Sequence, residues 1–137
     1  MSSIDDLQQL LISLDPALGK EVYVFVTLPG GRLGESATLD PVATVREDEG
    51  LSLIVPSVRA QQAGLAFTGT YRRLTLRVLS SLSAVGLSAA VSSALAKQGI
   101  SANIVAGFHH DHIFVPSHRA RDAQAALREL SNEARSR

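Results

Sequence analysis

The hydrophobic pattern between residues 73 and 115 constrains the fold of this chain more than any other feature. Apolar and polar residues alternate over 74–78, which is typical of a strand with one buried face. Residues 87–95 carry apolar side chains three and four positions apart, and a glycine follows, as expected of an amphipathic helix. Short β-type runs follow at 102–107 and 112–115. The segment therefore predicts a βαβ crossover that continues into a hairpin.

Elements of the same kinds are predicted nearer the N-terminus. Ser3 and Asp6 resemble a capping box, and the leucines after them share one face of a short helix. Residues 22–28 are apolar on both faces and predict a strand that is central in its sheet or covered on both faces. Several glycines come next, so residues 32–40 are expected to form an exposed loop.

Further hairpin and helix signals lie before and after residues 73–115. Residues 43–46 and 51–55 flank an acidic turn that ends in glycine, which predicts a hairpin. Residues 57–63 predict two helical turns, and residues 65–67 predict a returning strand. Residues 119–134 predict a final amphipathic helix, and no strand follows it.

The two halves of the sequence, residues 1–70 and 71–137, follow one plan imperfectly. The first half has a glycine-rich loop where the second has its helix, and the second half has no last strand. Because neither half can cover its own sheet, we expect the two to share a core. The predicted fold class is α+β, with antiparallel sheets that carry helices on one face.

Composition and charge exclude several classes of function. The 13 basic residues balance the 13 acidic ones, so no net field attracts nucleic acid or an anionic membrane. The absence of cysteine excludes disulfides, a thiol nucleophile and zinc–cysteine sites. No apolar run is long enough for a membrane helix, and no signal-peptide pattern is present. We therefore expect a cytoplasmic protein without a cofactor, and no nucleic-acid or membrane partner.

The chain resembles the ACT-domain superfamily of small regulatory modules in its order of elements and in the spacing of Gly86, Leu95, Gly99 and Ile100. A short bacterial branch with two ACT-like units and no attached enzyme is similar in the runs EDEGLSL, LSSLSAVGLSAA, GISANIVAGF and HDHIFVP. The resemblance implies tandem ferredoxin-like βαββαβ units, often assembled into dimers. It also implies that amino acids or other small effectors bind where the first strand turns into the first helix. Related tandem units in aspartokinases bind amino-acid end products, so amino acids are the leading ligand class by analogy.

One turn is the leading candidate for a ligand site. It joins the strand at 74–78 to the next helix and comprises Ser80, Ser81, Leu82, Ser83, Ala84, Val85, Gly86 and Leu87. Free amide groups and the helix dipole at such a junction favour a carboxylate or another anion. Gly86 allows close approach of a ligand or a neighbouring strand, and the serines offer hydroxyl donors. The alternative is that the serines cap the helix and Gly86 serves packing alone.

The resemblance adds Asn103 to this candidate site. Asn103 matches a strand position where ACT relatives place an Asn or Asp toward the ligand. A polar side chain in an apolar strand requires a hydrogen-bond partner. A backbone group of an adjoining chain could equally supply that partner.

A cluster of three histidines and one aspartate supports a different interpretation. His109, His110, Asp111 and His112 are residue types that bind zinc or nickel. In an extended segment His109 and Asp111 point one way and the other two point the opposite way, so at most two ligands share a face. A turn could bring three together. Otherwise these side chains hydrogen-bond within a hairpin, line an interface or sense pH.

Signals for catalysis are weaker than those for binding. Ser80 or Ser81 with a clustered histidine and Asp111 has the residue types of a triad, but no G-x-S-x-G elbow is present. The chain contains neither a P-loop nor G-x-G-x-x-G. We therefore predict a non-enzymatic sensor module that binds a small molecule, most simply an amino acid, and forms a homodimer. The alternatives are a ligand-free protein that docks an enzyme through its sheet, and a metal-dependent enzyme at the histidine cluster.

Overall fold

The structure, a computed structural model, describes residues 6–31 and 33–137 and divides into two compact units. One, here the split unit, comprises Met1–Lys20 and Arg72–Arg137. The other, here the central unit, comprises Glu21–Tyr71. Within the described ranges, no helix combines the length and the apolar character needed to cross a membrane.

The helices and strands largely follow the predicted order. They are α1 (Leu7–Ile12), β1 (Pro16–Leu28), β2 (Ala43–Glu47), β3 (Gly50–Pro56), α2 (Ser57–Gln62), β4 (Tyr71–Leu76), α3 (Leu87–Lys97), β5 (Asn103–Ala106), β6 (Asp111–Pro116) and α4 (Ala120–Arg135). Two 3₁₀ segments, Leu33–Leu39 and Ser117–Arg119, precede β2 and α4. Both units are α+β, as the sequence predicts, with antiparallel strand pairs and helices packed on the sheet.

The split unit has the strand order of a ferredoxin-like fold. Strand β4 lies between the first part of β1 and β6, and β5 pairs with β6 as an antiparallel hairpin. In this hairpin Asn103 pairs with Phe114 and Ala106 pairs with Asp111 across the two strands. The predicted hairpin is therefore confirmed. The first part of β1 takes the place of the last strand of a βαββαβ unit.

The strand that residues 71–137 lack is thus supplied by the N-terminal part of the chain. The Arg77 amide donates to the Asp15 carbonyl at 3.2 Å, and the Arg72 guanidinium donates to the Gly19 carbonyl at 2.8 and 3.1 Å. An edge of β4 left bare would expose a row of unpaired amides and carbonyls, which this strand covers. The compact units therefore differ from the sequence-based division at residue 70, because residues 6–20 pack with the second half.

The core of the split unit lies between its sheet and three helices. Leu10 and Leu14 are completely buried together with Leu74, Leu95 and Leu127. The N-terminal helix is therefore part of the core of the split unit.

Residues close in the chain determine where two of the helices begin or end. Asp6 caps α1 by accepting a hydrogen bond from the Gln8 amide at 2.9 Å, whereas Ser3, the other half of the predicted cap, lies outside the described residues. Gly99 ends α3 in the left-handed conformation, and the Ile100 amide donates to the Leu95 carbonyl at 3.0 Å, as predicted.

The central unit is a three-stranded antiparallel arrangement with β3 between β2 and the second part of β1. Its core contains Val24, Val26, Leu53 and Val55. The hairpin and the helix at 57–63 are confirmed. The strand at 22–28 is not buried on both faces along its length. Val24 and Val26 are buried on one face, whereas Phe25 on the other face remains 39% exposed.

Two other predictions for the central unit are wrong. The expected exposed loop contains the 3₁₀ segment, in which Ser36 and Leu39 are buried; Arg32 lies outside the described residues. Residues 65–67 form no strand, because the Leu65 amide bonds back to the Ala60 carbonyl at 3.0 Å and Leu65 packs on the core.

Candidate functional site

The loop between β4 and α3 is shaped by its own serines. The Ser81 hydroxyl accepts a hydrogen bond from the Ser83 amide at 3.1 Å and lies 2.8 Å from the Ser83 hydroxyl. The Ala84 amide donates to the Ser81 carbonyl at 3.1 Å. These short-range bonds form a tight turn of the kind that serine favours. Two of the three serines of the loop are thus used within the loop itself.

Gly86 is the N-cap of α3 and has a positive φ of 99°. A Cβ atom at Gly86 would lie 3.1 Å from Cδ2 of Leu7, so the close approach is to α1 rather than to a strand. No side chain hydrogen-bonds this cap, so the serines do not cap the helix as the alternative reading supposed. The first intrahelical bond runs from the Ala90 amide to the Gly86 carbonyl at 3.0 Å. The amides of residues 87–89 therefore have no acceptor within the helix.

Replacing Gly86 with alanine is expected to lower the free energy of unfolding by about 1–3 kcal/mol, since a φ of 99° is strained for any other residue. The contact with Leu7 adds to this cost. The matched control is Gly99→Ala, whose φ is 69° and whose Cβ would meet nothing within 4 Å. Urea unfolding of both variants checks the prediction. Equal losses in the two variants would contradict a packing role for Gly86.

A cavity of about 170 Å³ opens beside the loop and the first turn of α3. It is lined by Ser80, Ser81, Leu82, Ala84, Gly86, Leu87, Ser88, Ala89, Ala106 and Asp111. Six of these belong to the predicted turn, whereas Ser83, Val85 and Asn103 of the predicted site do not line the cavity. The strand-to-helix junction that the sequence predicts as a ligand site therefore borders a cavity.

Asn103 lies away from the cavity. The next residue, Ile104, packs on the core beneath α3, so Asn103 faces the opposite side of the sheet. Its side-chain amide donates to the Phe114 carbonyl at 3.3 Å on the neighbouring strand. This is the backbone partner that a polar strand residue needs, although it comes from the same chain.

Asp111 is the ionisable group that the structure adds to the cavity. It begins β6 opposite Ala106, and its side chain is half-buried. Burial raises the pKa of the Asp111 carboxyl above its usual value of 3.8, and the nearby His112 and His110 partly offset this rise. Within the described part of the chain, no group hydrogen-bonds this carboxylate. Sequence reasoning placed Asp111 in a metal cluster and missed its position next to the turn.

The three histidines near Asp111 have different surroundings. Nδ1 of His110 lies 3.3 Å from the Val78 carbonyl, and Nδ1 of His112 lies 3.0 Å from the Thr75 hydroxyl. The ring of His109 makes an edge contact with Phe108. Burial lowers the pKa of His112, with a further contribution from Arg73. Among the described residues no three His, Asp or Glu side chains are grouped so that they could hold a metal ion.

Comparisons with known proteins agree with this architecture. A family model described as ACT domain matches residues 2–72, more than half of the chain, and a second ACT-domain model matches residues 70–129. The chain belongs to the ACT-domain family. Its two matched regions make it a tandem ACT protein.

Solved structures show the same ACT-type fold. A Vibrio cholerae protein of unknown function, described as a possible transport protein, is 46% identical, with a TM-score of 0.84 over 95% of this chain and 99% of that one. An Agrobacterium tumefaciens protein is 22% identical, with a TM-score of 0.68 over 81% and 84%. The regulatory subunit of aspartate kinase from Thermus flavus is 14% identical, with a TM-score of 0.62 over 84% and 95%. No curated protein sequence matches.

Proposed function

We propose that this ACT-domain protein is a regulatory sensor that binds a free amino acid in the cavity between the first turn of α3 and Asp111. The observation that supports this most is the chemistry of the groups that line the cavity. The lining includes helix-terminal amides without an intrahelical acceptor and a carboxylate without a hydrogen bond from the described residues. These two kinds of group complement the carboxylate and the ammonium group of an amino acid.

The helix-terminal amides suit the α-carboxylate of the ligand. Amides at a helix N-terminus, together with the helix dipole, stabilise a negative charge placed within the first turn. Leu87, Ser88 and Ala89 form that turn and line the cavity. Ser80 also lines the cavity, and its hydroxyl is a further hydrogen-bond donor.

Asp111 suits the α-ammonium group of the ligand. A hydrogen bond between an ammonium group and a carboxylate is stronger than a neutral one, especially where water is partly excluded. A ligand with only a negative charge would meet the Asp111 carboxylate at close range, which is unfavourable. The cavity therefore favours a zwitterion over a simple anion.

Binding would regulate by shifting a population between two states of the protein. A ligand that bridges α3 and β6 favours the state in which these elements are closest, and a homodimer would respond as one assembly. Membership of the ACT-domain family and the fold shared with an aspartate kinase regulatory subunit support a regulatory role.

Thermal unfolding in the presence of each of the 20 amino acids tests the proposal. A ligand selective for the native state adds about 2.7 kcal/mol at a concentration 100 times its Kd, which is visible as a higher melting temperature. An N-acetyl derivative, which lacks the ammonium group, and an amino-acid amide, which lacks the carboxylate, are the matched control ligands. Both are expected to give smaller shifts than the parent amino acid.

The opposite outcome favours a different function. If no amino acid changes the melting temperature or the mass measured by light scattering, sensing is wrong. The better function is then an interaction protein that docks through the central unit's sheet, where Phe25 and Val45 remain exposed on one face.

A further inference from the structure

Three apolar side chains stand out by their exposure to water. Leu82, Val85 and Phe108 are 69%, 83% and 81% exposed, and the next most exposed large apolar residue among those described is Val45 at 59%. Scattered apolar side chains on a surface are ordinary, whereas exposed apolar side chains grouped in one region mark an interaction site. All three lie in the two loops of the split unit that border the candidate cavity.

The three residues belong to the segments that supply part of the cavity lining. Leu82 itself lines the cavity, and Val85 lies between Ala84 and Gly86, which both line it. Phe108 is in the turn that joins Ala106 to Asp111, and these two residues also line the cavity. We call Leu82, Val85 and Phe108 the apolar rim.

The two loops that carry the rim are held together. His110, in the same turn as Phe108, contacts the Val78 carbonyl at the end of the segment that leads into the serine loop. The Gly107 amide donates to the His110 carbonyl at 2.9 Å and closes the turn. The edge contact between the rings of Phe108 and His109, with centroids 5.1 Å apart, supports the Phe108 ring. The rim is thus placed by bonds within the split unit.

We infer that the ligand of this site is an amino acid with a large apolar side chain, which the apolar rim covers. The inference rests on the proposed function. With the ammonium and carboxylate groups of the ligand held by Asp111 and the first turn of α3, the side chain is left to extend toward the loops that carry the apolar rim. Both loops carry a large, exposed apolar side chain, and no lysine or arginine lines the cavity to receive an acidic side chain.

Continuity with the cavity identifies the ligand as the occupant of the rim. Leu82 is both a wall of the cavity and a largely exposed side chain, so a molecule that enters the cavity covers it directly. Burial of apolar area on both the ligand and the rim then adds to affinity only for ligands with an apolar side chain.

Calorimetric titration of the full chain with leucine, valine, phenylalanine, glycine, serine and lysine tests the inference. The three apolar amino acids are expected to bind at least about tenfold more tightly than glycine, because a single methylene in an apolar pocket already discriminates by that order. Phe108→Ser and Leu82→Ser are expected to weaken leucine binding about tenfold and to weaken glycine binding much less. Val58→Ser, at a 51% exposed position on α2 of the central unit, is the control and leaves every Kd unchanged.

The outcomes separate this inference from the proposed function. If glycine, serine or lysine binds as tightly as leucine, or if the rim variants weaken all ligands equally, the inference is wrong and amino-acid sensing remains. If no amino acid binds, both are wrong. If the rim variants change the mass of the assembly without changing ligand selectivity, the rim is a protein interface, and the inference is again overturned.

Discussion

Replacing Asp111 with asparagine is expected to weaken amino-acid binding by about 10- to 100-fold, because hydrogen bonds to charged groups contribute about 1.5–3 kcal/mol. The same change is expected to leave the folded protein at least as stable at pH 7. Asparagine keeps the size of the side chain and removes the charge that the ligand's ammonium group requires. A loss of binding without a loss of stability therefore identifies a ligand contact.

The sign of the stability effect follows from the raised pKa of Asp111. Burial raises the pKa of the Asp111 carboxyl in the folded protein above its usual value of 3.8. This carboxyl therefore holds its proton more tightly in the folded state than in the unfolded chain. As the pH rises from the Asp111 pKa of the unfolded chain to the raised pKa of the folded protein, the unfolded chain loses its proton first and the free energy of unfolding falls. Ionisation of the half-buried Asp111 carboxyl therefore costs stability in the folded state, and Asp111→Asn removes that cost.

Calorimetric titration and urea unfolding measure the two effects. Asp122→Asn is the matched control, since Asp122 is an exposed residue of α4 whose partner is Arg119 at 3.0 Å. This control is expected to leave the Kd unchanged. Affinity in the unsubstituted protein is expected to fall as the pH drops through the Asp111 pKa, because protonation removes the same charge. Wild-type affinity in Asp111→Asn would show that the ammonium group binds elsewhere.

Replacing Leu10 with alanine is expected to lower the free energy of unfolding of the split unit by about 2–5 kcal/mol, the usual cost of such a cavity in a packed core. Leu10 is completely buried in the cluster formed by α1, α3, α4 and the sheet. The expected loss is large because α1 is an integral part of the unit that carries the candidate site.

Urea unfolding followed by far-UV circular dichroism measures this loss. Gln9→Ala, at the adjacent exposed position of the same helix, is the control and is expected to change stability by less than about 0.5 kcal/mol. A cost below about 1 kcal/mol for Leu10→Ala would show that α1 does not belong to the core.

Much of the local structure was predictable from the sequence. The alternation at 74–78, the stop at Gly99 and the hairpin at 43–55 each depend on residues close together in the chain, and the structure confirms all three. The junction that leads into α3 was also predictable, because the pattern changes there from a period of two to that of a helix. The cavity lies at this junction.

Residues 65–67 and the glycine-rich loop show where the same reasoning is insufficient. Residues 65–67 have strand-like composition, but the Leu65 amide already bonds to the end of α2. The loop contains buried Ser36 and Leu39, because packing against the central core outweighs its turn-forming composition.

The sequence by itself determined the elements and the junction that borders the cavity, since backbone conformation and hydrophobic period are set by neighbouring residues. Only the tertiary structure decided that residues 16–20 complete the sheet beside β4, because pairing of distant strands depends on which edge remains open. It also decided that Asp111 lines the cavity while Asn103 does not, because the register of β5 with β6 fixes which side of the sheet each side chain faces.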